Sequence, residues 1–296
     1  MKIPVSISIP TKDRPEDLKR CVQSILLQSV LPNEVIIIDD GNLTKIEYKK
    51  MIEPFTSFTY IKKKTPSLSS SKNLIKNIAV NDLIIILDDD VVLEKEFIKS
   101  IYNIFIGDSY NTIGIVSGTV INKKKRTKFE QIYKRVFCLD LQVPGKVLPW
   151  GFQTGFDNIE GIIEVDWVSG GTTCYRKEVL EAFSFEEFFG GRSALEDVDF
   201  CLKAGKKYKI CMTSAAKLFH YQSKIGREKL FITGFKQAFN RYLLFKKYCI
   251  VNCKNIVLFY WAMIGNILGM IGKGKPQFAL GNIYGIYCSF KKNKKL

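Results

Sequence analysis

A single histidine, His220, stands in a chain of 296 residues that carries eight cysteines. The cysteines lie scattered at 21, 138, 174, 201, 211, 249, 253 and 288, with no Cys-x-x-Cys pair. Ligands this sparse argue against a structural zinc site and for reduced, mostly buried thiols in a cytosolic setting. The amino terminus, Met1-Lys2-Ile3-Pro4, lacks the long apolar run of a secretory signal. No internal repeat and no low-complexity tract is present. Acidic residues are nearly missing from the last third. From Lys203 onward 19 Lys and Arg face one acid, Glu228, whereas the preceding residues hold 26 Lys and Arg against 28 acids. The same last third carries 16 of the 37 aromatics. A near-neutral part and a basic, aromatic part should meet different partners.

What is present supports a folded core. Hydrophobic residues make up 46% of the chain, and the length suits one α/β domain of roughly 200–250 residues with an appendage. Val5, Ile7 and Ile9 alternate with serines, as in a strand ending near Pro10. From Pro15 a helix is expected, with Leu18, Cys21, Val22, Ile25 and Leu26 on one face. Val35 to Ile38 and Leu83 to Leu87 read as strands buried on both faces, and Phe58 to Ile61 as a third. Ser69 to Val80 reads as a helix opened by serines. Strand and helix alternating over short connections imply a mostly parallel, Rossmann-like sheet. Farther on, Val165 to Val168 and Ala216 to Phe219 are expected strands and Arg176 to Phe183 a helix. Lys123-Lys124-Lys125-Arg126 reads as a solvated basic loop, and residues 130 to 160 show no clear periodicity.

In such sheets ligands bind beyond the carboxyl ends of the strands. Thr11-Lys12-Asp13-Arg14, Asp39-Asp40 and Asp88-Asp89-Asp90 all fall there. Three adjacent carboxylates repel one another, and a hard divalent cation with oxygen ligands offsets them most simply. The alternative is that they cap the next helix, where negative charge is favoured. Glu196-Asp197-Val198-Asp199, after the loop Phe188-Phe189-Gly190-Gly191-Arg192, divides evenly between catalysis and opening a helix. A lone histidine such as His220 is more often structural than a ligand.

The ordered set Pro4 to Thr11, Asp39-Asp40-Gly41, Ser71-Lys72-Asn73, Asp88 to Asp90, Trp167 to Gly171, Glu196-Asp197 and His220 resembles inverting glycosyltransferase family 2. The resemblance covers roughly residues 3 to 225 and implies the GT-A fold. It implies a nucleotide-binding half over about 1–120 and an acceptor half over about 121–225; the composition sets 226–296 apart as a basic amphipathic and apolar helical region expected to associate with a membrane. By the same resemblance Pro10, Thr11 and Asp39 line the nucleoside pocket, and Arg14 and Lys72 contact the nucleotide sugar. Asp88 and Asp89 face ribose and diphosphate within an Asp-x-Asp signature. Asp90 and His220 ligate Mg²⁺ or Mn²⁺, reversing the bare reading of the histidine. Asp197 is the general base, Glu196 orients the acceptor, and Trp167, Gly170 and Gly171 shape the sugar pocket. The chain departs from the family at Asp13, at Asn42 and at Lys72, where arginine is frequent.

The reaction needs these residue types. An acceptor hydroxyl must lose its proton to a carboxylate as it attacks, and the departing nucleoside diphosphate gathers charge that a divalent ion neutralises. Lys229 to Tyr248 spaces aromatics and basic residues helically, and Asn255 to Gly272 and Pro276 to Phe290 carry no charge. A basic aromatic helix followed by apolar runs fits an anionic membrane surface. The alternative is a helical cap on the catalytic domain. Nucleic acid is not an expected partner, since long apolar runs do not suit a solvated groove binder. The expectation is a transferase on the cytoplasmic face of the cell membrane, peripheral or monotopic. It would move sugar from a UDP- or dTDP-sugar to a glycan or glycolipid in cell-surface polysaccharide synthesis. The rivals are a sugar nucleotidyltransferase and a non-catalytic anionic-lipid or nucleic-acid binder.

Overall fold

The computed structural model describes residues 1–187, 194–223, 225 and 228–293; the loop 188–192 read above lies outside them. The chain opens with β1 (Lys2–Thr11), α1 (Pro15–Leu26), β2 (Leu31–Asp39), α2 (Lys45–Ile52), β3 (Ser57–Lys62), α3 (Leu68–Ile78) and β4 (Leu83–Leu87). It continues through β5 (Val91–Leu93), α4 (Phe97–Gly107), β6 (Ile113–Val120), α5 (Lys128–Val136), β7 (Ile162–Glu164) and β8 (Thr172–Arg176). There follow α6 (Lys177–Ala182), α7 (Glu196–Ala204), β9 (Lys209–His220), α8 (Leu230–Tyr248), α9 (Cys253–Gly272) and α10 (Pro276–Asn293).

These strands form one mixed sheet ordered β3-β2-β1-β4-β8-β6-β9-β5, with β7 paired to β9. β3, β2, β1 and β4 are mutually parallel, as are β6 and β9, while β8, β5 and β7 run against their neighbours. The sheet is therefore mostly parallel. Leu83-Ile84-Ile85-Ile86-Leu87 is buried throughout, as a strand covered on both faces must be. One core packs α1, α2 and α4 on one face, and a second packs α3, α6 and α7 on the other. The register aligns Thr11 with Asp39 and Leu87 with Thr172, so the polar ends of three parallel strands meet one edge.

Two expectations are corrected. Val165 to Val168 is not a strand. The pairing lies earlier, in β7, after which Val165 N–H still bonds Ile210 O but Asp166 N–H turns to Gly145 O. Ala216 to Phe219 is only the end of the twelve-residue β9. α8 and α9 close a third apolar cluster with Leu148, Trp150 and Phe152. The basic region is thus packed against the segment that precedes Trp167.

Candidate active site

Three carboxylates leave β4 in succession, and the backbone aims them differently. Asp89 turns inward, accepting from Thr11 Oγ1 and from Arg14 Nη1, each at 2.8 Å. Arg14 is itself buried and donates to the Ile225 carbonyl from Nε and Nη2 at 3.1 and 2.6 Å. Burial pushes the Asp89 carboxyl up to about 6 against the pull of Arg14 and Thr11. The residues expected to bind donor, Thr11, Arg14 and Asp89, are therefore bonded to one another.

Asp90 turns toward β9 while its Oδ2 stays 3.7 Å from the same Arg14 Nη1. Its Oδ1 lies 3.0 Å from His220 Nε2, and its Oδ2 accepts from the Ser223 N–H at 2.8 Å. β9 delivers His220 opposite Val91, and the Asn122 amide brackets the His220 backbone, accepting at 3.0 Å and donating at 3.1 Å. Asp88 Oδ2 stands 4.0 Å from the same Nε2. Asp88, Asp90 and His220 each offer one ligand atom, all within 4.8 Å of one another, and no other such group occurs among the described residues. Burial raises the Asp88 pKa, with Lys72 and His220 opposing. Burial also acts to raise Asp90, but the His220 and Ser223 bonds outweigh it and hold its carboxylate low, while the bond to Asp90 raises His220. Two carboxylates and one imidazole suit Mg²⁺ or Mn²⁺. Asp88, half-exposed with His220 its shortest ion-pair contact, leaves oxygens free for such an ion.

On the neighbouring side α3 brings Lys72 to α7. Lys72 Nζ lies 3.2 Å from Glu196 Oε1, and both side chains are buried. Burial opposes the lysine charge, and Glu196, Asp88 and Asp197 outweigh it, raising its pKa. Lys72 was expected at the diphosphate; its partner in this structure is Glu196. Asp197 is half-buried at the start of α7, its Oδ1 accepting from the Val198 N–H at 2.9 Å. Burial and the adjacent Glu196 push its pKa to about 7. Leu195 precedes this pair in the left-handed region, φ 76°, a conformation that costs about 1–3 kcal/mol in a non-glycine residue and needs surrounding support. Gly170 and Gly171 allow the close approach of the two halves. A Cβ at Gly170 would lie 2.6 Å from Lys72 Nζ, and one at Gly171 would overlap the Asp88 carboxyl.

Pro10, Thr11 and Asp39, expected to line the nucleoside pocket, are buried together at the ends of β1 and β2. Asp39 accepts from the Gly41 and Leu43 N–H groups at 2.7 and 3.1 Å, from Tyr60 Oη at 2.7 Å and from Lys62 Nζ at 3.0 Å. Burial would raise its pKa, but these donors lower it. Trp167 donates from Nε1 to Thr154 O at 3.1 Å, with its ring centroid 4.5 Å from that of Phe156.

The place of Asp88 beside Asp90 and His220 escaped sequence reasoning, since the cluster says only that charge is offset somewhere. So did Tyr60, Lys62 and Asn122, whose polar groups sit on or beside strands. Asp199 was read only as one member of the acidic run 196–199, without its partners. It is fully buried, accepting from Lys247 Nζ at 2.9 Å and Tyr248 Oη at 2.8 Å, with Lys203 at 2.8 Å. The surplus of lysines after residue 203 was the available signal.

A mixed sheet with a carboxylate–histidine cluster at its carboxyl edge is the arrangement the resemblance to a nucleotide-sugar transferase of the GT-A fold implies. The model of the family described as glycosyl transferase family 2 matches residues 6–182, and the chain belongs to that family. Over 93 residues it is 36% identical to an Escherichia coli UDP-Gal:alpha-D-GlcNAc-diphosphoundecaprenol beta-1,3-galactosyltransferase, spanning 30% of this chain and 34% of that enzyme. The chain thus covers about a third of that relative's length. The mannosyltransferase PcManGT from Pyrobaculum calidifontis, solved with GDP-Man and Mn²⁺, superposes with TM-score 0.59 and 13% identity, over 97% of this chain and 80% of that one. GalNAc-T7, solved with UDP, GalNAc and Mn²⁺, gives 0.61 and 14% over 92% and 58%. These two likenesses establish the fold.

Proposed function

We propose that the protein is a metal-assisted, inverting glycosyltransferase carrying sugar from a UDP- or dTDP-sugar to a hydroxyl of a glycan or glycolipid. The observation that carries the proposal is the convergence of Asp88, Asp90 and His220 within 4.8 Å at the edge that also holds Asp197. Pro10, Thr11 and Asp39 line the nucleoside pocket. Asp90 and His220, with Asp88, hold Mg²⁺ or Mn²⁺. When bound, that ion neutralises charge gathering on the departing nucleoside diphosphate. Asp197, its pKa near 7, takes the acceptor proton as the new oxygen–carbon bond forms and the bond to diphosphate breaks. One displacement inverts the anomeric carbon. Glu196, held by Lys72, orients the acceptor, and Trp167 with Gly170 and Gly171 shapes its pocket. Thr11 and Arg14 hold Asp89, and Arg14 Nη1 also stands 3.7 Å from Asp90 Oδ2, so one buried cation steadies both carboxylates.

The diphosphoundecaprenol acceptor in the relative's name favours a lipid-linked acceptor here, in cell-surface polysaccharide synthesis on the cytoplasmic face of the membrane. Residues 1–225 carry the chemistry and 226–296 the membrane association. A donor panel assayed for nucleoside diphosphate release tests the proposal. Release should require Mg²⁺ or Mn²⁺ and disappear with a chelator or in Asp90→Ala. Chelator-resistant release, undiminished in Asp90→Ala, would refute the metal site.

A further inference from the structure

We infer that α5 and α9 together form a docking face that lies flat on an anionic lipid bilayer, so that α9 rests on the membrane without crossing it. This deepens the membrane association proposed above and rests on it. It adds a helix from between β6 and β7, outside residues 226–296, and settles which way the apolar helix is used.

The first observation is how the two helices meet. Tyr133 Oη donates to Gly265 O at 2.6 Å, and Trp261 Nε1 donates to Val136 O at 2.8 Å. The Phe137 and Trp261 rings stack with centroids 5.0 Å apart. A Cβ at Gly269 would lie 3.4 Å from Tyr133. Residues 133 and 137 thus meet 269, 265 and 261 in descending order, so the helices run antiparallel.

The second observation is what they leave uncovered. α5 buries none of its residues, and Phe129, Ile132 and Val136 are 74, 63 and 55% exposed. On α9 the exposed residues Val257, Trp261, Ile264, Leu268 and Ile271 recur every three or four positions. At about 100° per residue each set forms a stripe about a quarter-turn from the line of mutual contact. With antiparallel axes and right-handed helices, both stripes turn to the same side. That side is opposite Phe259, Ala262 and Met263, which are buried against the protein. The result is one continuous apolar face two helices wide.

The third observation is charge. Lys124 and Lys125 precede α5, Lys128 and Arg135 lie on it, and Lys273 and Lys275 follow α9, all of them exposed. A second copy of this chain, with formal charge +16, would bring like charge to that rim. Anionic lipid headgroups complement it, and such a basic, apolar face is what interfacial helices use.

Spanning is disfavoured by α9's other face. Phe259 is fully buried, with its ring 4.9 Å from Phe245 and 6.3 Å from Phe152. Asn266 Nδ2 contacts Gln237 Oε1 and Asn282 Oδ1, each at 3.3 Å. A crossing helix would have to abandon these contacts.

The test uses the full chain and phosphatidylcholine vesicles with and without phosphatidylglycerol. Sedimentation should show binding that needs phosphatidylglycerol, weakens with salt, and falls about tenfold in the double variant Phe129→Glu/Ile132→Glu. An alkaline carbonate wash should release the wild type from cell membranes. Equal binding by wild type and double variant would overturn the proposal, as would retention after carbonate. So would a wild-type dimer that the double variant dissociates with lipid binding unchanged, which would assign the face to a second copy. Both substituted side chains are largely exposed, and nucleoside diphosphate release to a water-soluble acceptor should stay at the wild-type rate. Loss of that release in the wild type would indict the transferase reading and leave the docking result standing.

Discussion

Asp90 and Asp197 are both aspartates at the carboxyl edge of the sheet, yet their surroundings fit them for opposite tasks. Against burial, the bonds from His220 and Ser223 hold Asp90 low; an ion ligated by His220 would take over the imidazole's share and favour the same ionised form. Burial and Glu196 bring Asp197 to about 7, where a base still accepts a proton but is half ionised at neutral pH. Below that value Asp197 is protonated and idle, so kcat/KM measured with saturating metal should rise with pH through about 7 and then level. Asp197→Asn should remove that limb and lower kcat by about 10²–10⁴-fold. A different consequence attaches to Lys72. Lys72→Met leaves the Glu196 carboxylate buried without its cation, and chemical denaturation should show a loss of about 3–5 kcal/mol. Unchanged stability would mean that water replaces the lysine. Asp90, Lys72 and Asp197 were legible as candidates through the ordered motifs that resemble the family, spacing alone leaving Asp197 evenly divided. Their pairings were not. Arg14 with Asp89, and Lys72 with Glu196, join residues 75 and 124 positions apart, a separation that local pattern does not encode.

Among the elements, α7 carries Asp197, the proposed base, and α8 holds α7. Asp199 lies two residues beyond Asp197 and is bonded to Lys247 and Tyr248 at the end of α8. Asn240 of α8 donates to Ala194 O at 2.9 Å, and Leu244 packs with Leu195 and Val198. Asp199→Ala should therefore cost about 2–4 kcal/mol, as charged hydrogen bonds of this kind do. It should also reduce kcat more than nucleotide affinity, which calorimetry with UDP and Mn²⁺ would separate. The early strands were readable because β-branched runs buried on both faces have few other interpretations. α5 was not, since its apolar stripe meets no buried partner and nine residues give a weak periodic signal. The misread strand at 165–168 has a similar cause. Val165 and Val168 are buried, and burial without pairing looks the same as a strand in sequence.

For the whole molecule, the basic third, proposed to meet the membrane, packs against residues 148–152 of the catalytic part. Arg241 is buried in α8, donating from Nη1 to Gly151 O at 2.9 Å and Gln153 Oε1 at 2.7 Å, with its guanidinium 4.2 Å from the Phe152 ring centroid. Burial lowers its pKa to about 10, which leaves it charged at neutral pH. Removing residues 226–296 would expose Leu148, Trp150 and Phe152 together. Residues 1–225 expressed alone should accordingly be insoluble or lack activity; a soluble, fully active fragment would show that residues 226–296 are dispensable for the catalytic domain. The charge division visible in the sequence marked this region, but its contacts with α7 needed the fold. The most direct test of the account pairs two readings on Asp197→Asn: transfer rate and affinity for the nucleoside diphosphate with Mn²⁺. The expected result is affinity close to wild type with transfer reduced at least 100-fold. Wild-type transfer, or loss of nucleotide affinity in step with transfer, would contradict the assignment of the base.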